Sequence, residues 1–293
     1  MKIKVLSSYK LDDEKNYGDC FIIDTGNQLI IYDCGSEEFA HEVIKYMNSH
    51  GYEKADVVLS HNDADHYNGI GILVNEKKVN TITTLLLLKY VDDILKRIDD
   101  DRKTRESIKR QIKELYDNIN ELSGNNLKDA LDSELYLSDN VKIVGPDLDY
   151  ALDAVAKQLD TTEGDTIDGE TIMNAISIQL EINMNGKKVL LTGDANYEAI
   201  KDKIRDYDCI QLPHHGKKKH ADDIFAKNSG RNKVTYLVSD NTGNTNGGSD
   251  DLETSGHRIK NTKYGEINLD EQSLSITSKG TLMSNEIHYI KKN

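Results

Sequence analysis

Residues 60–66 read Ser-His-Asn-Asp-Ala-Asp-His, and they follow residues 55–59, a mostly apolar run with the composition of a buried strand. A turn or a helix cap needs only one side-chain oxygen, so it would not explain why two histidines flank the aspartates. Imidazole and carboxylate groups on an irregular loop can instead close together around metal ions. The stretch therefore predicts a metal site just beyond the carboxyl end of a strand, where open α/β sheets bind their ligands.

Two further strand ends carry residue types that bind metals. A hairpin over residues 176–192, with Asn-Gly at its tip, leads into Asp194, and a strand over residues 209–212 leads into His214 and His215. Taken alone, the aspartate could be an ordinary turn residue and the histidines a buried or capping pair. Because all three junctions follow strands and share the same chemistry, we expect them to converge on one site.

The rest of the chain alternates strand and helix patterns. Residues 37–50 place apolar side chains at helical spacing, and residues 160–170 read as an acidic loop. Short β-branched and apolar runs bounded by turn residues predict the strands. These predicted strands span residues 3–6, 20–24, 29–33, 55–60, 135–144, 176–182, 188–192, 209–212, 234–239, 257–261, 266–269 and 274–277.

Residues 91–132 differ from the rest, because apolar side chains recur there every three or four positions among charged ones. The apolar series is Ile108, Ile112, Leu115, Ile119 and Leu122. It predicts an amphipathic helix, which we interpret as an insertion or lid. Its apolar face either packs on the chain's own domain or binds a partner, including a second copy of the chain in a homodimer.

Composition limits the function. The chain has 293 residues, of which 37% are hydrophobic, so it can bury the core of one large domain or two small ones. Its net charge of −14 argues against a general surface for nucleic acids. The three cysteines are widely spaced, and the sequence has neither a signal-peptide pattern nor an apolar run long enough to span a membrane. We expect a cytoplasmic protein with no membrane role.

The stretch at residues 60–66 resembles the metal-binding signature of the metallo-β-lactamase-fold hydrolases. Asp63 makes it similar to the branch that contains the soluble hydrolase domain of ComEC-type competence proteins. Further segments fit that branch in the same order, namely residues 18–23, 31–35, 174–177, 191–194, 214–216 and 262–267. The resemblance implies an α/β fold, a four-layer αββα sandwich, in a single domain over residues 1–293 with a helical insertion at about 91–132.

The resemblance also implies a pair of divalent metal ions. His61 and Asp63 would hold one ion, Asp65 and His66 would hold the second, and Asp194 would bridge both. Asp65 would in addition orient the water that the ions activate. Replacing a second histidine by Asp63 enriches the ligand set in oxygen, which shifts the preference from zinc towards manganese and leaves both open.

Other residues would complete the site by resemblance. Of His214 and His215, one would be a catalytic proton donor or phosphate contact and the other a metal ligand, with His215 taken as the ligand although the order stays open. Asp33 would support the histidine loop from behind. Asn174 and Ser177 would lie near the site, on the strand before Asp194.

Two departures from the family pattern stand out. The family usually has serine after His-His-Gly, but a lysine run begins here at Lys217, and the late Gly-His-Pro element is missing from residues 240–255. Lys217 is either part of an exposed solubilising turn or a contact for substrate phosphate. His257 aligns with a variable position and is not counted as a ligand.

Charge favours phosphodiester cleavage. Two divalent ions against the carboxylates of Asp63, Asp65 and Asp194 leave about one positive charge, which suits a phosphodiester monoanion. We therefore expect a phosphodiesterase or nuclease that acts on nucleotides or short nucleic acids. The alternatives are a hydrolase of a lactam, lactone or thioester on the same fold, or a non-catalytic partner-binding protein.

Overall fold

Short apolar runs form two sheets in the computed structural model, which describes residues 1–11, 15–115, 122, 126–160, 166–167, 169–242 and 248–275. The first sheet contains β1 (Lys2–Val5), β2 (Phe21–Asp24), β3 (Leu29–Tyr32), β4 (Ala55–Val58), β5 (Val79–Thr84), β6 (Leu127–Asp129) and β15 (Ile267–Leu269). Among these described strands the order is β15-β1-β2-β3-β4-β5-β6. Strands β3 to β6 run parallel, whereas β15, β1, β2 and β3 pair antiparallel.

The second sheet contains β7 (Val141–Gly145), β10 (Gln179–Met184), β11 (Lys187–Leu191), β12 (Cys209–Gln211), β13 (Thr235–Val238) and β14 (Arg258–Asn261). Within the described residues its order is β14-β13-β12-β11-β10-β7. Strands β11 to β14 are parallel, and β10 pairs antiparallel with both β11 and β7. A separate two-stranded ribbon joins β8 (Thr166–Ile167) to β9 (Glu170–Thr171).

Helices cover the two sheets. The described helices are Glu37–His50, Ala64–Tyr67, Ile70–Asn75, Val91–Leu95, Arg105–Leu115, Leu148–Asp160, Ile172–Ala175, Tyr197–Ile200, Pro213–Gly216, Lys218–Lys227 and Glu271–Ser275, with 3₁₀ turns at Leu87–Tyr90, Ile204–Asp206 and Thr262–Tyr264. The helix Glu37–His50 begins where Ser36 Oγ accepts from the Phe39 amide and ends at Gly51, whose φ is 78°. None of the described helices has the length and apolar character needed to cross a membrane.

Side chains along the strands of the second sheet alternate between two hydrophobic clusters, one on each face of the sheet. Leu191 faces the main core, which also contains Ile31 of the first sheet and Phe39 of the helix Glu37–His50. Its neighbour Leu190 faces a second cluster, which contains Ile224 of the helix Lys218–Lys227. Because successive side chains of a strand point to opposite faces, the second sheet is buried on both sides. The predicted four-layer αββα sandwich is confirmed.

The segment 91–132 is not one helix. It contains the helices Val91–Leu95 and Arg105–Leu115, and it returns to the first sheet as β6, which pairs with β5 from Leu127 onwards. Ile108 and Ile112 are buried in the main core, which favours the interpretation that this helical face packs on its own chain. From residue 127 the chain pairs with β5 at the edge of the first sheet instead of continuing the helical periodicity. Ile119 of the predicted apolar series lies outside the described residues.

Several other boundaries differ from the prediction. The strand predicted at residues 274–277 is wrong where it is described, since Leu274 lies in the helix Glu271–Ser275. Asp270 and Ser273 explain this start, because each side chain accepts the other's backbone amide hydrogen. The acidic loop predicted at residues 160–170 contains β8 and β9 in its described part, and the strand predicted from residue 135 begins only at Val141.

Candidate metal centre

Three strand ends from the two sheets meet at one place. The first sheet supplies the loop after β4, and the second supplies the turns after β11 and β12. Within this place the Nε2 atoms of His61, His66 and His214 lie 4.0, 3.4 and 3.9 Å from carboxylate oxygens of Asp194. The sequence prediction that these junctions converge is therefore matched by the geometry.

The remaining predicted ligands lie on either side of this group. Asp63 Oδ2 is 3.5 Å from His61 Nε2, and Asp65 Oδ2 is 3.0 Å from His215 Nε2. Asp63 is the most accessible of them, with 44% of its side chain exposed, whereas His61 and His215 are buried. One face of the centre thus opens to solvent beside Asp63.

The histidines of the loop after β4 are held through their Nδ1 atoms. His66 Nδ1 donates to Asp33 Oδ2 at 2.8 Å, and Asp33 also accepts from the amide and hydroxyl of Ser60. His61 Nδ1 lies 3.0 Å from Ser60 Oγ and 3.2 Å from Ser177 Oγ. Such contacts orient a ring and direct its Nε2 atom to the centre, as in protein metal sites where a polar group holds the far nitrogen.

The adjacent histidines after β12 are also held through their Nδ1 atoms, each by a different carboxylate. His215 Nδ1 lies 3.1 Å from Asp19 Oδ1, and His214 Nδ1 lies 2.7 Å from Glu170 Oε2. His215 is buried and its Nε2 faces Asp65, whereas His214 has 30% of its side chain exposed. The two rings therefore serve different sides of the centre.

Unpartnered polar atoms show that the centre fits a cation. Three buried atoms, His61 Nε2, His66 Nε2 and Asp194 Oδ1, make no hydrogen bond to any described residue. Donor atoms of these three residues converge within 4.8 Å. Leaving a buried polar atom without a partner costs about 1–3 kcal/mol, so a group that satisfies all three would be stabilising. Imidazole nitrogen and carboxylate oxygen suit a divalent metal ion.

A second convergent set is Asp19, His66 and His215. Asp19 is already engaged on both oxygens, since Oδ1 contacts His215 Nδ1 and Oδ2 accepts from Gln211 Nε2 at 2.8 Å. Because it holds the nitrogen of His215 that faces away from Asp65, we interpret Asp19 as a support for that ring and not as a ligand.

The pKa shifts at the centre show that its buried carboxylate is stabilised by nearby positive charge. Burial alone would raise the pKa of Asp194, but the charges of His66 and His215 hold it well below its usual range. Burial would likewise lower the pKa values of His66 and His215, yet the charge of Asp194 helps to raise both well above the ordinary value. Burial raises the pKa of Asp33. A divalent cation would supply the charge that protons supply here.

Gly18 and Gly35 fix the backbone of Asp65. A Cβ atom on Gly18 would lie 1.6 Å from the carbonyl oxygen of Asp65, and one on Gly35 would lie 2.0 Å from the same oxygen. This oxygen also accepts from the amide of Asp19 at 2.9 Å. No side chain fits between these segments, so the close approach requires glycine at both positions.

We expect Gly18→Ala to destabilise the protein far more than Gly26→Ala. Both glycines have positive φ, 64° and 94°, but a Cβ at Gly26 meets nothing within 4 Å. Gly26→Ala should cost about 1–2 kcal/mol for the left-handed conformation, and Gly18→Ala should cost about 2 kcal/mol more because of the clash. Urea unfolding of both variants measures this difference, and equal losses would contradict the proposed clash.

The other predicted residues have mixed outcomes. Ser177 Oγ contacts His61 and accepts from the amide of Asp194 at 3.3 Å. Neither Ser177 nor Asn174 is on a strand as expected. Asn174 lies in the helix Ile172–Ala175, where its Oδ1 accepts from Thr171 Oγ1, and Ser177 precedes β10, which begins only at Gln179. Lys217 lies near the centre with its Nζ 2.5 Å from Glu170.

His257 was not counted as a ligand, and the structure places it elsewhere. Its ring stacks on Phe225 at a centroid distance of 3.7 Å. That contact belongs to the edge of the second core cluster and not to the metal centre.

Sequence reasoning missed Asp19, Glu170, Gln211 and Asn16. Asn16 Nδ2 donates to Asp65 Oδ2 at 3.0 Å, beside the contact from His215. Asp19 stands in the segment 18–23 that carries the family resemblance, so this residue had a signal. Glu170 had none, because it lies in a stretch that reads as an acidic loop.

Comparison with known proteins identifies a family and several solved structures with a similar fold. The family model described as the metallo-beta-lactamase superfamily matches residues 14–228. No curated protein sequence matches the chain significantly.

Solved structures share the architecture at low identity. A metal-dependent hydrolase of the beta-lactamase superfamily, Tm1679, is 16% identical with a TM-score of 0.54, covering 92% of this chain and 98% of its own. The metallo-beta-lactamase fold protein YhfI from Bacillus subtilis is 13% identical with a TM-score of 0.51 over 92% and 99%. A diphosphatase from the PhnP family is 12% identical with a TM-score of 0.50 over 92% and 98%. At these identities the likeness shows the fold.

Proposed function

The chain belongs to the metallo-beta-lactamase superfamily, and from this premise we propose that it is a metal-dependent phosphodiesterase or nuclease. The observation that carries the metal dependence is the convergence of His61 Nε2, His66 Nε2 and Asp194 Oδ1 without hydrogen-bond partners among the described residues. The observation that favours a phosphodiester is the oxygen-rich ligand set with Asp63 at its open side. One neighbour in fold is a diphosphatase, which is compatible with phosphate chemistry.

The proposed ligands are divided between two metal ions. His61 and Asp63 would hold one ion, and Asp194 would contribute to holding both. Asp65, His66 and His215 would hold the second ion. Two bound zinc or manganese ions would lower the pKa of a water and stabilise the attacking and leaving oxygens of the phosphate.

The adjacent histidines take different roles in this proposal. His215 is a ligand, because its buried Nε2 faces Asp65 at 3.0 Å and its Nδ1 is held by Asp19. His214 contacts the substrate, because it is partly exposed and its Nε2 lies 3.9 Å from Asp194 at the rim. We therefore propose His215 as the metal ligand and His214 as the substrate contact.

We propose nucleotides or short single-stranded nucleic acids as substrates. The net charge of −14 disfavours long duplexes, which are held by accumulated positive charge. The local positive charge at Lys217, whose side chain is 40% exposed, is the contact that we assign to a substrate phosphate. Because of Asp63, we propose that the chain is related to the ComEC-type branch of the superfamily.

A substrate panel tests this function. We expect the wild type with added manganese or zinc to cleave bis-p-nitrophenyl phosphate and short single-stranded DNA, and to lose both activities in EDTA. Nitrocefin, lactones and thioesters should remain intact. Metal-dependent cleavage of one of these three substrates, with both diesters untouched, would favour the non-phosphate hydrolase instead. Inactivity on the whole panel with metal bound would favour a non-catalytic binding protein.

A further inference from the structure

A buried carboxylate, Glu170, lies beside the metal centre but outside its ligand set. The Glu170 side chain is only 2% exposed. Its Oε2 contacts His214 Nδ1 at 2.7 Å, while Oε1 contacts Lys217 Nζ at 2.5 Å and His220 Nε2 at 2.8 Å. Burial alone would raise the pKa of Glu170, but these three hydrogen bonds hold it well below its usual range. Glu170 is therefore a fixed negative charge among basic groups.

Glu170 orients the imidazole ring of His214 differently from that of His215. Both histidines have positive φ, 51° and 55°, a region that residues other than glycine rarely adopt. Asp19 holds the Nδ1 atom of His215, whose Nε2 points into the ligand set. Glu170 holds the Nδ1 atom of His214, whose partly exposed ring presents Nε2 at the rim beside Asp194. His214 is thus anchored on one side and open on the other.

Glu170 also contacts a second element of the fold. Glu170 lies on β9, and its partners Lys217 and His220 flank the start of the helix Lys218–Lys227. His220 is fully buried, so its contact ties β9 to the turn that carries His214. A carboxylate held at three points can fix the orientation of an imidazole more firmly than a contact with solvent.

We propose that Glu170 is a positioning residue that holds His214 so that its Nε2 proton reaches the leaving oxygen of the phosphodiester. The inference rests on the proposed phosphodiesterase function. In this step the oxygen of the attacking water forms a bond to phosphorus and its proton passes to solvent. The bond from phosphorus to the leaving oxygen breaks, its electron pair stays on that oxygen, and the oxygen takes the proton from Nε2. The Nδ1 proton stays on His214, donated in a hydrogen bond to Glu170 Oε2, and His214 regains its Nε2 proton from solvent.

Leaving-group dependence tests this role with Glu170→Gln and His214→Asn. An alkoxide leaving from DNA needs a proton, whereas p-nitrophenolate is weakly basic and needs none. We expect kcat on short single-stranded DNA to fall about 10²-fold in each variant, with kcat on bis-p-nitrophenyl phosphate changed less than about threefold. The double variant should lose no more than either single variant, because the two residues act as one unit.

Metal content and a neighbouring lysine provide controls. Metal analysis should find the same number of bound ions in Glu170→Gln as in the wild type, since Glu170 contacts no proposed ligand. Lys218 lies in the same lysine run but pairs with Asp222, so Lys218→Ala should retain kcat on both substrates. If Glu170→Gln does not fold, equal losses of His214→Asn on both diesters would still overturn the proposal, because Glu170 can position His214 as a proton donor only if His214 supplies the proton.

The outcomes separate this inference from the proposed function. Equal losses of Glu170→Gln on both diesters, additive losses in the double variant, or loss of bound metal would each overturn the positioning role while the wild-type activity stands. A selective loss on DNA with full metal content would support it. An inactive wild type on both diesters would instead reject the phosphodiesterase function, and the role of Glu170 with it.

Discussion

Asp65→Ala should lower kcat/KM for phosphodiester hydrolysis by at least about 10³-fold, because one side chain combines two tasks. In the proposed site Asp65 is both a metal ligand and the carboxylate that orients the attacking water. Its Oδ2 accepts a hydrogen bond from Asn16 Nδ2 at 3.0 Å and lies 3.0 Å from His215 Nε2. Burial would raise the pKa of Asp65, but His215 and the charge of His66 hold it far below its usual range, so the group is an anion in the folded protein.

Asn16→Ala is the matched control for Asp65→Ala. It removes a neighbour that donates to Asp65 but leaves the carboxylate in place, so the loss should be about tenfold to 100-fold at most. Steady-state kinetics on bis-p-nitrophenyl phosphate, with manganese or zinc supplied in excess, compares the two variants. Retention of a tenth or more of wild-type activity by Asp65→Ala would exclude Asp65 from both tasks.

The residues that sequence alone identifies are those whose neighbours in the chain share their chemistry. Residues 60–66 concentrate four ligand groups after one strand, so their role is visible locally. Asp194 is different, because its Gly-Asp context is ordinary and only the order of motifs along the chain gives it meaning. The seven predicted site residues lie together because the loop after β4 of the first sheet meets the turns after β11 and β12 of the second.

The supporting residues were less predictable because their contacts join distant parts of the chain. Asp19 and His215 are separated by 196 positions, and no local pattern relates them. Glu170 and His214 are 44 positions apart, and Glu170 stands in a segment rich in acidic residues where no single carboxylate is distinguished. Only the fold shows which acid is buried against a histidine.

The fold was predictable where periodicity and burial agree. Residues 29–33 are buried throughout and residues 55–60 are buried except for Asp56, and their apolar runs correctly predicted the strands β3 and β4, which the structure pairs in parallel. The prediction failed at residues 127–129, where three residues at a sheet edge follow a segment with helical periodicity. It failed again at Leu274, where a capping pair starts a helix in a run that also suits a strand.

Asp194→Asn should abolish the stabilisation of the protein by metal. Asp194 is buried, and the Nε2 atoms of His61, His66 and His214 lie within 4.0 Å of its oxygens, so it is the one carboxylate shared by the two proposed ions. Metal at 1,000 times its dissociation constant should stabilise the wild type by about 4 kcal/mol. For a chain of this size the corresponding rise in Tm is on the order of 10 °C.

Thermal unfolding after dialysis against EDTA, with and without manganese or zinc, measures this increment. Glu181→Gln is the matched control, because Glu181 is a buried carboxylate of the second sheet that pairs with Lys142 and Lys188. It should lower Tm equally in both conditions and keep the full increment from metal. Since the unpartnered Nε2 atoms of His61 and His66 remain in Asp194→Asn, an undiminished increment in that variant would mean that the histidines bind metal without it. The shared-ligand geometry, and the two-ion site built on it, would then be wrong.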